Sequence, residues 1–194
     1  MEFIHPMKKS KYYPISDNNS KILILGSFPS EKWDDGGFYY GSSRNRFWHL
    51  IVGIFEERFS DTNSFSYKQI KAGSKIDNYV KNMECDDKEK LLLKNNIALW
   101  DIVDECNSET GKWPSSDDNI EKGFTQNDIF EILEANKKIN KVIFTGSSKL
   151  KQYIANKIKS EFGEKIEIEC LPSPTAWVIS RYDNVKRWQN LLKG

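Results

Sequence analysis

Cysteine is scarce in this chain. There are three, Cys85, Cys106 and Cys170, in 194 residues, and no two form a CxxC pair. An odd, scattered set builds no disulfide framework and fits a reducing compartment. It cannot supply the thiolates of an iron–sulfur cluster. Histidine is scarcer still, with only His5 and His49, so no zinc site is expected. No apolar run approaches the ~20 residues of a membrane-spanning helix. The N-terminal MEFIHPMKKSKYYP lacks the apolar centre of a signal peptide. A cytoplasmic protein without a membrane partner, nucleoid-associated if bacterial, is the expectation. Neither sign of charge dominates: 29 Lys and Arg against 28 Asp and Glu leave a net +1. That excludes a global field attracting nucleic acid. Locally, Lys8, Lys9 and Lys11 cluster near the start, and Arg181, Lys186, Arg187 and Lys193 outnumber Asp183 near the end. Residues 101–134 are acidic. Solvated faces explain such runs, although a local basic rim suffices for an enzyme that touches a few phosphates.

What is present is an ordinary globular composition, 38% hydrophobic and 29% charged. The length suits one domain over residues 1–194 with its own core, and no apolar interface stripe argues against a monomer. KILILGS (21–27), the first half of NIALWDIV (96–103), KVIFTG (141–146) and KIEIEC (165–170) read as strands. Each runs into a turn-rich segment. Between them lie helical patterns. Phe47, Leu50, Ile51, Ile54 and Phe55 share one face of a helix over 44–55. Further helices are expected over 86–95, over 126–136 with Thr125 as a cap, over 147–161 and over 184–192. Residues 61–75 read as a polar loop. Alternating strands and helices predict an α/β fold: a three-layer αβα sandwich on a mainly parallel, roughly four-stranded sheet. Ligands of such sheets bind beyond the carboxyl ends of the strands. Residues 27–45, 101–119 and 171–181 therefore compete for the site.

GSFPS (26–30) is not a phosphate loop, for it lacks the GxxxxGK[ST] spacing. With one glycine in its first turn it is not a dinucleotide fingerprint either. No GxSxG motif occurs, and no histidine is placed to activate a serine. The loop runs through Phe38, Tyr39 and Tyr40 to Asn45, at the start of a helix. Aromatics beside a carboxamide suit a flat, polar nucleobase. Core aromatics and a helix-capping Asn45 are the plainer alternative, and composition alone favours it.

The combination GSFPS…FYY…NRFW resembles the first motif of the uracil-DNA glycosylase superfamily. It is most similar to the branch of mismatch-specific uracil and hypoxanthine-DNA glycosylases. IALWDIVDEC with SSDDNI, QNDIFEIL, KVIFTG, LPSPTA and KRWQNLL resemble that branch's later segments in order, over roughly residues 21–192. The resemblance implies a monofunctional DNA glycosylase of base excision repair. Such an enzyme flips a deaminated base, hypoxanthine or uracil, out of DNA and hydrolyses its N-glycosidic bond with water, without cofactor or metal.

By the same resemblance Asn45 is the catalytic amide, because Phe28 occupies the position where many relatives carry the water-positioning Asn or Asp. Tyr40 is expected to stack on the base, and the backbone of Ser27 and Phe28 to line its pocket. Pro172, Ser173, Pro174 and Thr175 correspond to the loop pushed into the minor groove, with Trp177 as a wedge. Ser147, Ser148 and Lys149 are candidate phosphate contacts. The chain departs from the family pattern at Ser30, at Ser42-Ser43, at Thr145-Gly146 and in SPTAWVIS. Phe28 keeps open the alternative of a protein on the same fold that binds nucleic acid or a nucleobase without cleaving it. Other readings are plain. His49 is expected on a solvent-facing edge, and Cys106 and Cys170 in or near the core. Trp33, Trp100 and Trp113 are packing residues, and Asp34-Asp35 form a turn. Asp101 is balanced between facing the pocket and capping a turn.

Overall fold

The computed structural model describes residues 2–8, 10–29, 37–60, 65–107, 123–181 and 183–193. Four strands make the central sheet: β2 (Ile22–Gly26), β3 (Ile97–Asp101), β6 (Lys141–Thr145) and β7 (Glu167–Leu171). All pairings are parallel, in the order β3-β2-β6-β7. The central pair, ILILG and KVIFT, is buried almost end to end, because helices cover both faces of a parallel sheet. β7 lies at an edge and stays half exposed, with Cys170 on the surface rather than near the core. The opposite edge is closed by an antiparallel bridge between Ile15 and Leu99. Helices flank the sheet, giving the expected sandwich.

α1 (Phe47–Phe55) is buried on nearly every side, not on one stripe. Its Gly53 permits this: a methyl group there would lie 2.2 Å from the Phe65 ring. α2 spans Glu57–Ser60. The segment read as a polar loop instead carries one short helix, α3 (Tyr67–Ile70), and a further helix, α4 (Lys75–Lys81), starts at its end. They form because Phe65, Ile70 and Ile76 are buried and the Ser74 hydroxyl caps the second by accepting from the Asp77 N–H. α5 (Cys85–Lys94) follows as expected. α6 covers Ile129–Ala135, with Asp128 as its cap rather than Thr125. α7 is Lys149–Phe162, α8 Ala176–Ile179 and α9 Asn184–Lys193.

A second sheet was not expected. β1 (Glu2–Ile4), β4 (Val103–Asn107) and β5 (Phe124–Gln126) pair antiparallel in the order β1-β4-β5. Thr125 sits in its last strand. Trp33, Asp34-Asp35, Trp113 and the SSDDNI segment lie outside the described residues, as do Lys9 and Ser30.

Candidate active site

The register of the central sheet sets the floor of the site. Gly26 is level with Asp101 on one side, and Leu25 pairs with Phe144 on the other. The carboxyl ends of β3, β2 and β6 therefore bring Asp101, Gly26 and Thr145 into one row. A cavity of about 210 Å³ lies over this row, below the ~300–1,000 Å³ of sites for drug-sized ligands and suited to a single flat ring system. Ser27, Phe28, Tyr40, Asn45, Ser173 and Pro174 all line it. Residues 27–45 and 171–181 thus do converge, joined by the end of β3.

The NRFW residues organise this wall. The Asn45 side-chain oxygen accepts from the Phe47 N–H at 2.8 Å. That contact fixes the amide orientation and leaves Nδ2 without a partner among the described residues. Asn45 lines the cavity, whereas the N-cap position of α1 belongs to Arg46, not to Asn45. Arg46 donates from one guanidinium nitrogen to the Ser43 and Asn45 carbonyls. Trp48 Nε1 donates to the Tyr39 carbonyl at 2.6 Å. Phe47 stacks on Tyr40, with ring centroids 4.2 Å apart and planes at 19°. Tyr40 has φ +55°, an uncommon conformation for a bulky side chain. The Phe47 stack and a 2.9 Å hydrogen bond between the Tyr40 and Thr145 hydroxyls hold it there.

The last loop is sewn to the same wall. Asn45 and Thr175 form an antiparallel bridge. The Arg46 N–H donates to the Pro174 carbonyl and the Ala176 N–H to that of Arg44. Trp188 of α9, fully buried, donates from Nε1 to the Pro172 carbonyl at 3.0 Å. Pro172 and Thr175 flank the cavity. Trp177, on α8, is 65% exposed, with the Arg181 guanidinium 3.2 Å over its ring. Ser147, Ser148 and Lys149 do not line the cavity. Ser147 and Lys149 are exposed at the start of α7, and the Ser148 hydroxyl caps that helix by accepting from the Lys151 N–H.

Of the two readings of Asp101, the pocket one holds, and His5 and Lys151 join the site from outside the sequence readings. Asp101 faces the cavity and is 6% exposed. His5 is fully enclosed, 2.8 Å through Nε2 from Asp101 Oδ2. Lys151 also lines the cavity, and its ammonium donates to the Thr145 carbonyl at 2.7 Å. Nothing local marked His5: it follows a three-residue strand whose partner lies about a hundred residues away. Lys151 reads as one more polar residue on an amphipathic helix. His49 is the clearest departure from expectation. It is 7% exposed, with Nε2 2.9 Å from Asp77 Oδ1. α1 is too enclosed to leave a wet edge, and the carboxylate satisfies the buried ring. Burial lowers the His49 pKa despite that partner.

No protein-family model matches the chain. Two curated proteins named hypoxanthine DNA glycosylase are similar to it. The one from Methanosarcina barkeri is 28% identical over 140 residues, and that from Methanosarcina acetivorans 29% over 142, each match spanning 72% of both chains. The solution structure of a candidate uracil DNA glycosylase from Methanosarcina acetivorans superposes with a TM-score of 0.62, at 24% identity and covering 93% of each chain. The likeness to the solved structure shows a shared fold, and the two curated relatives are what the chain is similar to in sequence. Among the described residues no helix is long and apolar enough to cross a membrane.

Proposed function

We propose that the protein is a monofunctional DNA glycosylase that hydrolyses the N-glycosidic bond of a deaminated base, hypoxanthine or uracil. One observation carries the reading. In a chain similar to two hypoxanthine DNA glycosylases, Asn45 and the last loop border one base-sized cavity at the carboxyl edge of the sheet. A base stacked in duplex DNA cannot reach such a cavity, so it must be flipped, at a cost of a few kcal/mol. Mispaired, deaminated bases are the easiest to extrude.

Cleavage leaves a cationic sugar and a departing, anionic base. Groups aimed at those charges, held rigid before reaction, lower the barrier. Asn45 is the proposed catalytic amide. Its oxygen, already oriented by the Phe47 N–H, has a second lone pair for a water, and Nδ2 is left to donate. Tyr40 is the proposed aromatic wall for the base, with Ser27 and Phe28 beside it. Ser173 and Pro174 close the opposite side. Pro172, Thr175 and Trp177 are proposed to meet the DNA where the base leaves the stack, and Ser147, Ser148 and Lys149 to meet its phosphates. Similarity to named glycosylases weighs against a non-cleaving binder. A single chain acting without cofactor or metal is part of the proposal.

The test uses duplex and single-stranded oligonucleotides carrying hypoxanthine or uracil, with alkali to break abasic sites. We expect scission that falls by at least ~100-fold in Asn45→Ala, within the range by which a positioned proton-transfer or charge-stabilising group contributes. Gel-shift binding with no scission of either base would leave the binder.

A further inference from the structure

Asp101 is held in an unusual way for a cavity carboxylate. The Met7 N–H donates to His5 Nδ1 at 3.2 Å. That nitrogen therefore bears no proton, and Nε2 carries the ring hydrogen. The 2.8 Å contact is then a His5 N–H donating to Asp101 Oδ2. The second oxygen, Oδ1, lies over Gly26, where a methyl group would be only 2.0 Å away. Oδ1 has no partner among the described residues and is not sealed in protein, so it opens on the cavity. The cavity thus presents a fixed acceptor. Across it, the Lys151 ammonium adds positive charge beside the Thr145 carbonyl.

Deamination gives a base a ring N–H beside a carbonyl. Adenine and cytosine carry instead a ring nitrogen lone pair beside an amino group. A carboxylate oxygen facing the ring nitrogen accepts from the first pattern and repels the lone pair of the second, and a cation attracts a carbonyl. We propose that Asp101 favours hypoxanthine and uracil over adenine and cytosine, their amino-bearing parents, by accepting the ring N–H, that Lys151 favours the adjacent carbonyl, and that His5 is the positioning residue that keeps one Asp101 oxygen turned to the base. This rests on the glycosylase reading and extends it to the chemistry of selection. It assigns work to the small second sheet, since the His5 N–H donates to the Asp104 carbonyl of β4 and so sets the ring against Asp101.

Single-turnover excision of hypoxanthine is compared with that of N1-methylhypoxanthine in the same duplex; if uracil is the base removed, N3-methyluracil is used. The wild type should remove the unmethylated base at least ~100-fold faster, since a site built around a donor on the substrate rejects analogues that lack it. In Asp101→Asn the His5 N–H captures the amide oxygen and turns the amino group to the base. The unmethylated rate should drop and the ratio should collapse towards one. His5→Phe should lower the ratio, and His5→Gln, which can still donate, should restore it. Thermal melts of each variant separate misfolding from lost recognition, and the wild-type comparison needs no variant. Equal wild-type rates on both bases, or an unchanged ratio in folded Asp101→Asn, overturns the inference and leaves the glycosylase standing. No excision of any base by the wild type overturns both.

Discussion

At position 26 a single hydrogen is all the structure accommodates. A methyl group would meet Asp101 Oδ1 at 2.0 Å and the Tyr40 hydroxyl at 2.8 Å. Neither neighbour yields easily: His5 holds the carboxylate, and Thr145 and Phe47 hold the tyrosine. Gly26→Ala should therefore cost ~1–3 kcal/mol of stability, as overpacked sites do. It should also reduce excision by more than that loss explains, because the floor of the cavity moves. Urea melts beside single-turnover rates check both, and wild-type excision in a folded variant would show that the floor is not part of the site. Asn45 and Tyr40 were legible in the sequence, since they stand in a motif whose neighbours all constrain them. Asp101 was half legible, as the last residue of an apolar strand. His5 was not, because its meaning comes from a carboxylate 96 residues away.

Among the elements, α1 and α4 are pinned together by a buried polar pair, His49 and Asp77. Burial holds the His49 pKa below its ordinary 6.5. Burial acts on Asp77 to raise its pKa. Hydrogen bonds from Lys81, His49 and the Gly73 N–H outweigh that effect and leave it well below the carboxylate range. The signs agree. Below about pH 6.5 the unfolded chain takes up a proton at His49 that the native state refuses, so stability falls as pH drops. Below about pH 4 the unfolded chain protonates Asp77 while the native carboxylate stays charged, and stability falls again. The melting temperature should decline from pH 7 to 5, and His49→Gln, which keeps a donor for Asp77, should flatten that decline while the fall below pH 4 remains. A pH series of thermal melts decides; an unaltered slope in the variant would remove His49 as the cause. All four strands of the central sheet could be read: β2, β3 and β6 are buried along their length and keep a continuous apolar signature, and the edge strand β7 shows alternation. β1 and β5 have three residues each, too few for any period to show, and they exist because they pair with β4.

Across the whole molecule, part of the apparent N-terminal basic cluster proves to be internally neutralised. Lys8 binds Asp104 and Glu105, and Lys11 binds Asp86, so these two lysines carry partnered charges. The face bearing the cavity instead presents Trp177, the most exposed of the large apolar side chains among the described residues. It sits one short turn beyond the last loop. Trp177→Ala should slow excision from duplex DNA by ~10-fold or more, the equivalent of one lost stacking partner at ~1–3 kcal/mol. Excision from single strands should change much less, since no stack need be opened there, and the melting temperature should hold. Equal losses on the two substrates would argue against a wedge.

By itself the chain's sequence determined the sandwich, the parallel sheet and the loops that could host chemistry, because hydrophobic periodicity and turn residues act over a few neighbours. The NRFW segment belonged in part to that local record, since Phe47 and Trp48 hold Tyr40 and Tyr39 a few positions away, but the bonds of Asn45 and Arg46 to the last loop did not. Only the tertiary structure decided that the end of the third strand and a lysine on a late helix border one cavity, with a histidine from near the start set against that strand's carboxylate. Pairings across so long a stretch of chain depend on register and layer packing, and no local pattern encodes them.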